Sequence, residues 1–228
     1  MRGAALPVLI VLMALMSALV SSVWRSAITR ESLAQADADR LQARQAARAL
    51  IREAQRDILA PTPDLRHSPG PSGSLHAFFP RERQDWPELV SRLQPLPGLP
   101  CQLGICLALP VADPAGVAWR SRLSTAATPG QFVTRPLSSG SDSAVAQLFP
   151  ATAAYWVEVL PFDSETAAAS ALIDVTPGDP ALIYRITAYA QGAWPGTQVV
   201  QQVLWLASTA APERAQASRV LQWREWLE

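Results

Sequence analysis

Residues 4–23, AALPVLIVLMALMSALVSSV, run for twenty positions without a charged side chain. At about 1.5 Å per residue this is about 30 Å of helix, one hydrocarbon thickness. Apolar side chains lie on all sides, which argues against a core helix of a soluble domain. A cleaved secretory signal wants a longer basic start than Met1-Arg2 and a small-x-small site close behind, whereas Ala18 has Met16 two positions before it. The stretch is best read as a membrane anchor.

Arg2-Gly3 stands directly before the run and Pro7 lies inside it. Proline within a helix loses a hydrogen bond and clashes with the carbonyl four residues back. A cut after Gly3 would make Ala4 the new terminus and Pro7 the fourth residue, where no intrahelical N–H bond is needed. The other reading on spacing is an uncut signal anchor whose helix begins near Leu6. Arg25 and Arg30 follow the span closely, and counted alone they would draw the C-terminal part into the cytoplasm.

Beyond Trp24, an interfacial aromatic, residues 25–59 contain no Gly or Pro and are rich in Ala, Arg, Gln, Leu and Glu. Helix is expected to about Leu59, stopped by Pro61, with Ala60 disfavoured as the residue before proline. Leu33, Ala36, Ala43, Ala46, Ala47, Leu50, Ile51, Ala54 and Ile58 share one face at about 100° per residue. The whole helix would be about 84 Å long, apolar all round at first and amphipathic later. Arg40, Arg44, Arg48, Arg52 and Arg56 recur every fourth position, and the drift of about 40° per step winds them into a ridge. Two readings stand for it: a solvated face with Asp37, Glu53 and Asp57 as partners, or a docking ridge for an acidic neighbouring subunit.

The remainder reads as a head of about 170 residues. Residues 61–150 hold most of the prolines and glycines, in stretches such as PTPDLRHSPGPSGS, and are expected to be long loops with short strands. They include the two cysteines of the chain, Cys101 and Cys106, which in an exported domain suggest a disulfide. Residues 151–228 look like sheet. Residues 155–160 form one strand, and 181–190 with 197–207 form an antiparallel hairpin around QGAWPG. Residues 219–227 fit a strand or a short helix equally. Trp156, Trp194, Trp205, Trp223 and Trp226 are read as core and rim of the head.

The 19 Arg and 19 acidic residues balance, with no Lys and no Asn in the chain. Lacking Lys, it has no P-loop lysine and no Schiff-base lysine; zero net charge disfavours nucleic acid as a partner. His67 and His76 fall in loop sequence without a metal-ligand pairing, and Gly70-Pro-Ser-Gly-Ser74 is not a nucleophile elbow. The acidic pairs Asp163/Glu165 and Asp174/Asp179 are ordinary turn residues. No catalytic residue, metal site or cofactor is expected, and the chain is not read as an enzyme.

Three stretches together resemble a type IV pilin precursor, and more narrowly the type IV pilus assembly PilX family of minor pilins. They are Arg2-Gly-Ala-Ala-Leu6 before the apolar run, DRLQARQAARALIREA over 39–54, and Tyr184-Arg-Ile-Thr-Ala188 followed by Gly192 and Val199-Val-Gln201. About half the residues are covered; 61–150 contributes no motif. Arg48 stands where the family often has Glu. The resemblance implies an α+β, pilin-like fold. A long N-terminal helix, half membrane and half amphipathic, packs on a small antiparallel sheet head with long loops.

The divisions would be a leader at 1–3, a membrane and filament-core half at 4–24, and an amphipathic half at 25–60. A loop-rich part of the head at 61–150 and a sheet part at 151–228 complete it. The resemblance further implies cutting by a prepilin peptidase between Gly3 and Ala4, methylation of the new amine, and a head on the periplasmic side of the inner membrane before incorporation into a pilus. Partners would be other minor pilins, the major pilin and the assembly platform in the inner membrane. Val8 then occupies the fifth mature position, where typical pilins carry Glu, and it joins the arginine ridge as a subunit-contact candidate. The function implied is a priming or tip-complex subunit. The alternatives are a pseudopilin of a type II secretion system and an uncleaved inner-membrane-anchored periplasmic binding module.

Overall fold

The computed structural model describes residues 5–59, 79–80, 83–96, 100–108, 118–129, 152–161, 182–193, 196–206 and 219–227. One unbroken helix, α1 (Ala5–Ile58, 54 residues), passes through Pro7 in its first turn and ends three residues before Pro61. Its exposed N-terminal part, down to about Thr29, carries several hydroxyls. Ser21 donates to the Ser17 carbonyl at 2.8 Å, Ser26 to Val23 at 2.8 Å and Thr29 to Arg25 at 2.9 Å. Bonded within the helix, these groups need no external partner in an apolar surrounding. Leu9, Val11, Met13, Leu19, Val23 and Ile28 all stay exposed. This is a helix long and apolar enough to cross a membrane, and its most apolar window has no burial against the rest of the chain.

Burial begins at Asp39. Ala43, Ala46, Ala47, Leu50, Ile51, Ala54 and Ile58 are all buried, one face at helical spacing. Leu33 is exposed and Ala36 only half-buried, so the apolar stripe read from the sequence is used from its third member onward. Four alanines in this face let the helix approach the sheet closely. Opposite them lie Tyr155, Val157, Val159, Tyr184, Ile186, Ala188, Val199, Val203 and Trp205.

Six strands make one sheet in the order β1-β2-β3-β4-β5-β6. They are β1 (Cys101–Gln102), β2 (Ile105–Leu107), β3 (Ala153–Pro161), β4 (Leu182–Gln191), β5 (Gln198–Leu206) and β6 (Arg219–Leu227). The expected hairpin is β4–β5, in register from Ile183–Leu206 to Gln191–Gln198. Alternation sends Tyr184, Ile186 and Ala188 to α1 and Ile183, Arg185, Thr187 and Tyr189 to the other face. Residues 219–227, undecided by periodicity, are strand β6, antiparallel to β5 with a register shift at Leu204/Trp205. The sheet is mixed rather than wholly antiparallel, because β2 runs parallel to β3. A three-residue strand carries no signal of direction, and its pairing is set by contacts far along the chain. The architecture is α+β and pilin-like: a long helix, free at its apolar end, laid across a small sheet.

The two faces of the sheet are covered differently. On the face away from α1, Trp156, Tyr189 and Val200 pack with the Cys101–Cys106 disulfide. A short helix α3 (Ala118–Arg122) adds Trp119, stacked on Tyr189 at 5.3 Å between ring centres. Helix α2 (Trp86–Leu93) precedes the cysteine hairpin and buries Leu89 and Leu93, with Pro87 in its first turn and Glu88 and Arg92 paired at 2.6 Å.

Candidate functional site

The packed half of α1 carries two buried acids, and each is tied to the sheet. Asp39, 6% exposed, accepts a hydrogen bond from the Ala193 N–H at 2.6 Å just beyond β4. Asp57, in the last turn, accepts one from the Tyr155 hydroxyl of β3 at 2.7 Å. Burial pushes the Asp57 carboxyl from 3.8 up to about 7, against the hydrogen bond from Tyr155, which favours the charged form. Burial, and then the neighbouring carboxylate, push the Tyr155 hydroxyl well above its ordinary value. Head and helix are thus pinned at both ends of their contact.

Asp57 therefore belongs to the core and not to a solvated face. Both acids fall on the apolar stripe, Asp39 four residues before Ala43 and Asp57 three after Ala54. A charge at a stripe position was the available signal that it would be buried and partnered.

The five arginines divide. Arg44 Nε lies 2.7 Å from Glu225 Oε1 of β6, out of line for a hydrogen bond, and Gln201 Nε2 donates to the other oxygen of Glu225 at 2.9 Å. The Arg48 guanidinium sits over the Trp223 ring, 6.0 Å from its centre. Arg40, Arg52 and Arg56 are exposed, Arg56 donating to the Arg52 carbonyl at 3.2 Å. Two members of the ridge thus face β6 of the same chain. Neither reading of the ridge predicted an intramolecular partner on the last strand, because that contact spans most of the sequence.

A second charged group lies under the other face of the sheet. Glu158 of β3, 3% exposed, accepts from Arg185 Nε of β4 and forms an ion pair with Arg122 Nη2, 2.8 Å from its Oε1 but out of line for a hydrogen bond. Arg122 is equally buried, and its Nη1 reaches the Cys101 sulfur at 3.6 Å. Burial lowers the Arg122 pKa, while Glu158 opposes that shift. The cross-strand pairing of Glu158 with Arg185 brings the two together, and the disulfide hairpin closes over them. The hairpin turns at Leu103 and Gly104, both with positive φ, as a two-residue turn of type I′ requires. Gly104 also admits no side chain, since a Cβ would lie 2.7 Å from the Ala127 Cβ.

Cys101 and Cys106 are joined as expected. Gly3 and Ala4, the expected processing site, lie outside the described residues, and only the backbone of Val8 is described. His67, His76, Asp163, Glu165, Asp174, Asp179 and Trp194 also lie outside them. Among the described residues no group of three or more His, Cys, Asp or Glu is placed to hold a metal ion. Trp156 and Trp205 are buried, whereas Trp223 and Trp226 stand exposed on β6.

Fold and surface together define a pilin-like α+β protein with an exposed apolar helix that could span a membrane. No protein-family model matches the chain, and neither a curated protein nor a solved structure matches it.

Proposed function

We propose that this protein is a minor pilin of a type IV pilus, of the PilX kind, acting as a priming or tip-complex subunit. The observation that carries the reading is the division of α1. Its first half offers apolar surface to lipid or to other helices, and its second half is locked to a small sheet by Asp39, Asp57 and the alanine face. Such a subunit can rest in a bilayer and pass into a helical filament core without refolding, because no described residue of the head packs on the apolar half.

Position 8 supports a place at the end of a filament. A pilin glutamate there would meet the terminal amine of its neighbour in an apolar bundle, where an unpaired charge is costly. Val8 forgoes that pairing and suits a subunit with no other above it.

The test is the N-terminal sequence of the protein from wild-type and prepilin-peptidase-deficient cells. An N-methylated Ala4 terminus in the first and an intact Met1 in the second are expected. An intact Met1-Arg2-Gly3 in both would remove the pilin reading and favour an uncleaved anchored binding module. Co-purification with sheared pili separates a pilus from a secretion machine. Gold labelling at filament ends, lost or displaced in Val8→Glu, separates tip from shaft.

A further inference from the structure

Strand β6 ends the sheet. Among the described residues it pairs only with β5, and none of them lies along the outer edge of Val220–Trp226 as a further strand. The opposite edge is quite different: β1 has two residues and is closed by the disulfide. Soluble proteins generally keep edge strands short or interrupted, because a long edge is a template for another strand.

The surface around this edge is apolar and cationic. Val220, Trp223 and Trp226 are 50%, 43% and 39% exposed. Trp223 lies on the α1 side, under Arg48, and Trp226 pairs with Val200, whose side chain is on the opposite face. An incoming strand would therefore find an indole on each side of the sheet. Arg224 is exposed on β6, and Arg40 and Arg52 are exposed one turn of α1 before Arg44 and after Arg48. The one acid of the strand, Glu225, is engaged by Arg44 and Gln201.

We propose that the outer edge of β6 accepts an extended, acidic strand of a partner protein, which adds to the sheet as a seventh strand. Backbone pairing supplies the register, Trp223 and Trp226 cover its side chains, and Arg48 and Arg224 select acidic residues. A lipid surface does not fit, since Arg48 stands about 36 Å along the helix from Trp24. A second copy fits less well, because it would bring two edges of the same cationic character together. The inference rests on the sheet edge, not on the pilus reading, and the N-terminal sequence that tests that reading does not bear on it.

The full-length chain in zwitterionic detergent is titrated with three fluorescent nine-residue peptides. One repeats Val-Glu-Glu, which sets glutamate on both faces of an extended strand, one repeats Val-Arg-Arg, and one is the acidic peptide with two central prolines. The acidic peptide is expected to bind at least tenfold more tightly than either of the others, with affinity falling as salt rises. Hydrogen exchange is expected to slow at the β6 amides not bonded to β5. In the charge-reversed variant Arg48→Glu/Arg224→Glu the preference should move to the arginine peptide. Equal binding of the three peptides by the wild-type chain would overturn the proposal, whether or not the variant folds. So would acidic-peptide binding that leaves β6 exchange unchanged. Protection of β6 by anionic vesicles, or by raising the concentration of the protein alone, would also overturn it.

Discussion

The Tyr155 hydroxyl, from the middle layer of the head, donates to Asp57 Oδ2 at 2.7 Å, in the last turn of a helix whose other end is apolar on every side. Both residues are buried, so this bond is sheltered from water where helix and sheet part company. The burial of Asp57 also makes the head sensitive to pH. The Asp57 carboxyl titrates near 7 when folded and near 3.8 when unfolded, so between those values the folded state holds more protons. Stability from this group is fully present below about pH 4 and is lost as pH rises toward 7.

Asp57→Asn should flatten that slope. The melting temperature of the wild-type chain in detergent is expected to include a fall between pH 4 and 7 that the variant lacks. The difference should be on the order of 2–3 kcal/mol across the window. An identical pH profile in the two proteins would refute the assignment. Tyr155→Phe should destabilise by about 1–3 kcal/mol at pH 7 and less at pH 4, where the carboxyl is neutral.

At the other end of the contact, Gly192 lies so close to the Asp39 carboxylate that a Cβ would overlap both oxygens. Gly192→Ala is expected to cost about 1–3 kcal/mol by pushing that carboxylate off the Ala193 N–H. Asp39→Ala removes the same bond and relieves the clash. The double variant should therefore be less destabilised than the sum of the two single ones, which denaturant titration would measure.

The buried Arg122–Glu158–Arg185 group should be intolerant of partial removal. Glu158→Gln leaves Arg122 charged and nearly enclosed, with an expected loss of about 3 kcal/mol or more. Pairing that change with Arg122→Met should recover part of the loss. Additive costs in thermal melts would show that Glu158 and Arg122 are not coupled.

Cys101 and Cys106 close a short hairpin under the same group. Substituting both by Ala is expected to lower stability by about 2 kcal/mol, the chain-entropy value for so small a loop. Because the hairpin also supplies β2 to the sheet, hydrogen exchange should rise first at Ile105–Leu107 and at the parallel partners Val157–Val159.

How much was legible beforehand follows from which interactions are local. The apolar run, the amphipathic stripe, the stop before Pro61, the β4–β5 hairpin and the pairing of two lone cysteines all depend on residues near one another in the chain. Periodicity and turn chemistry report such features directly. Sequence alone thus determined a long two-part helix joined to a sheet-bearing head. The same stripe held the clue to Asp39 and Asp57, as acids at positions that otherwise take Ala, Leu or Ile.

Only the tertiary structure decided the rest. Residues 219–227 became a strand because β5 offered an edge, not because of their own pattern. Strand β2 took a parallel neighbour about fifty residues further along the chain, Ile105 pairing with Val157. The arginine ridge was divided by the arrival of Glu225 and Trp223 against Arg44 and Arg48. Burial, and with it the pKa of Asp57 and the pairing of Glu158 with two arginines, is a property of what other segments cover. Helical periodicity is written every three or four residues, whereas strand neighbours and buried ion pairs join positions tens to hundreds of residues apart, and no local pattern carries that information.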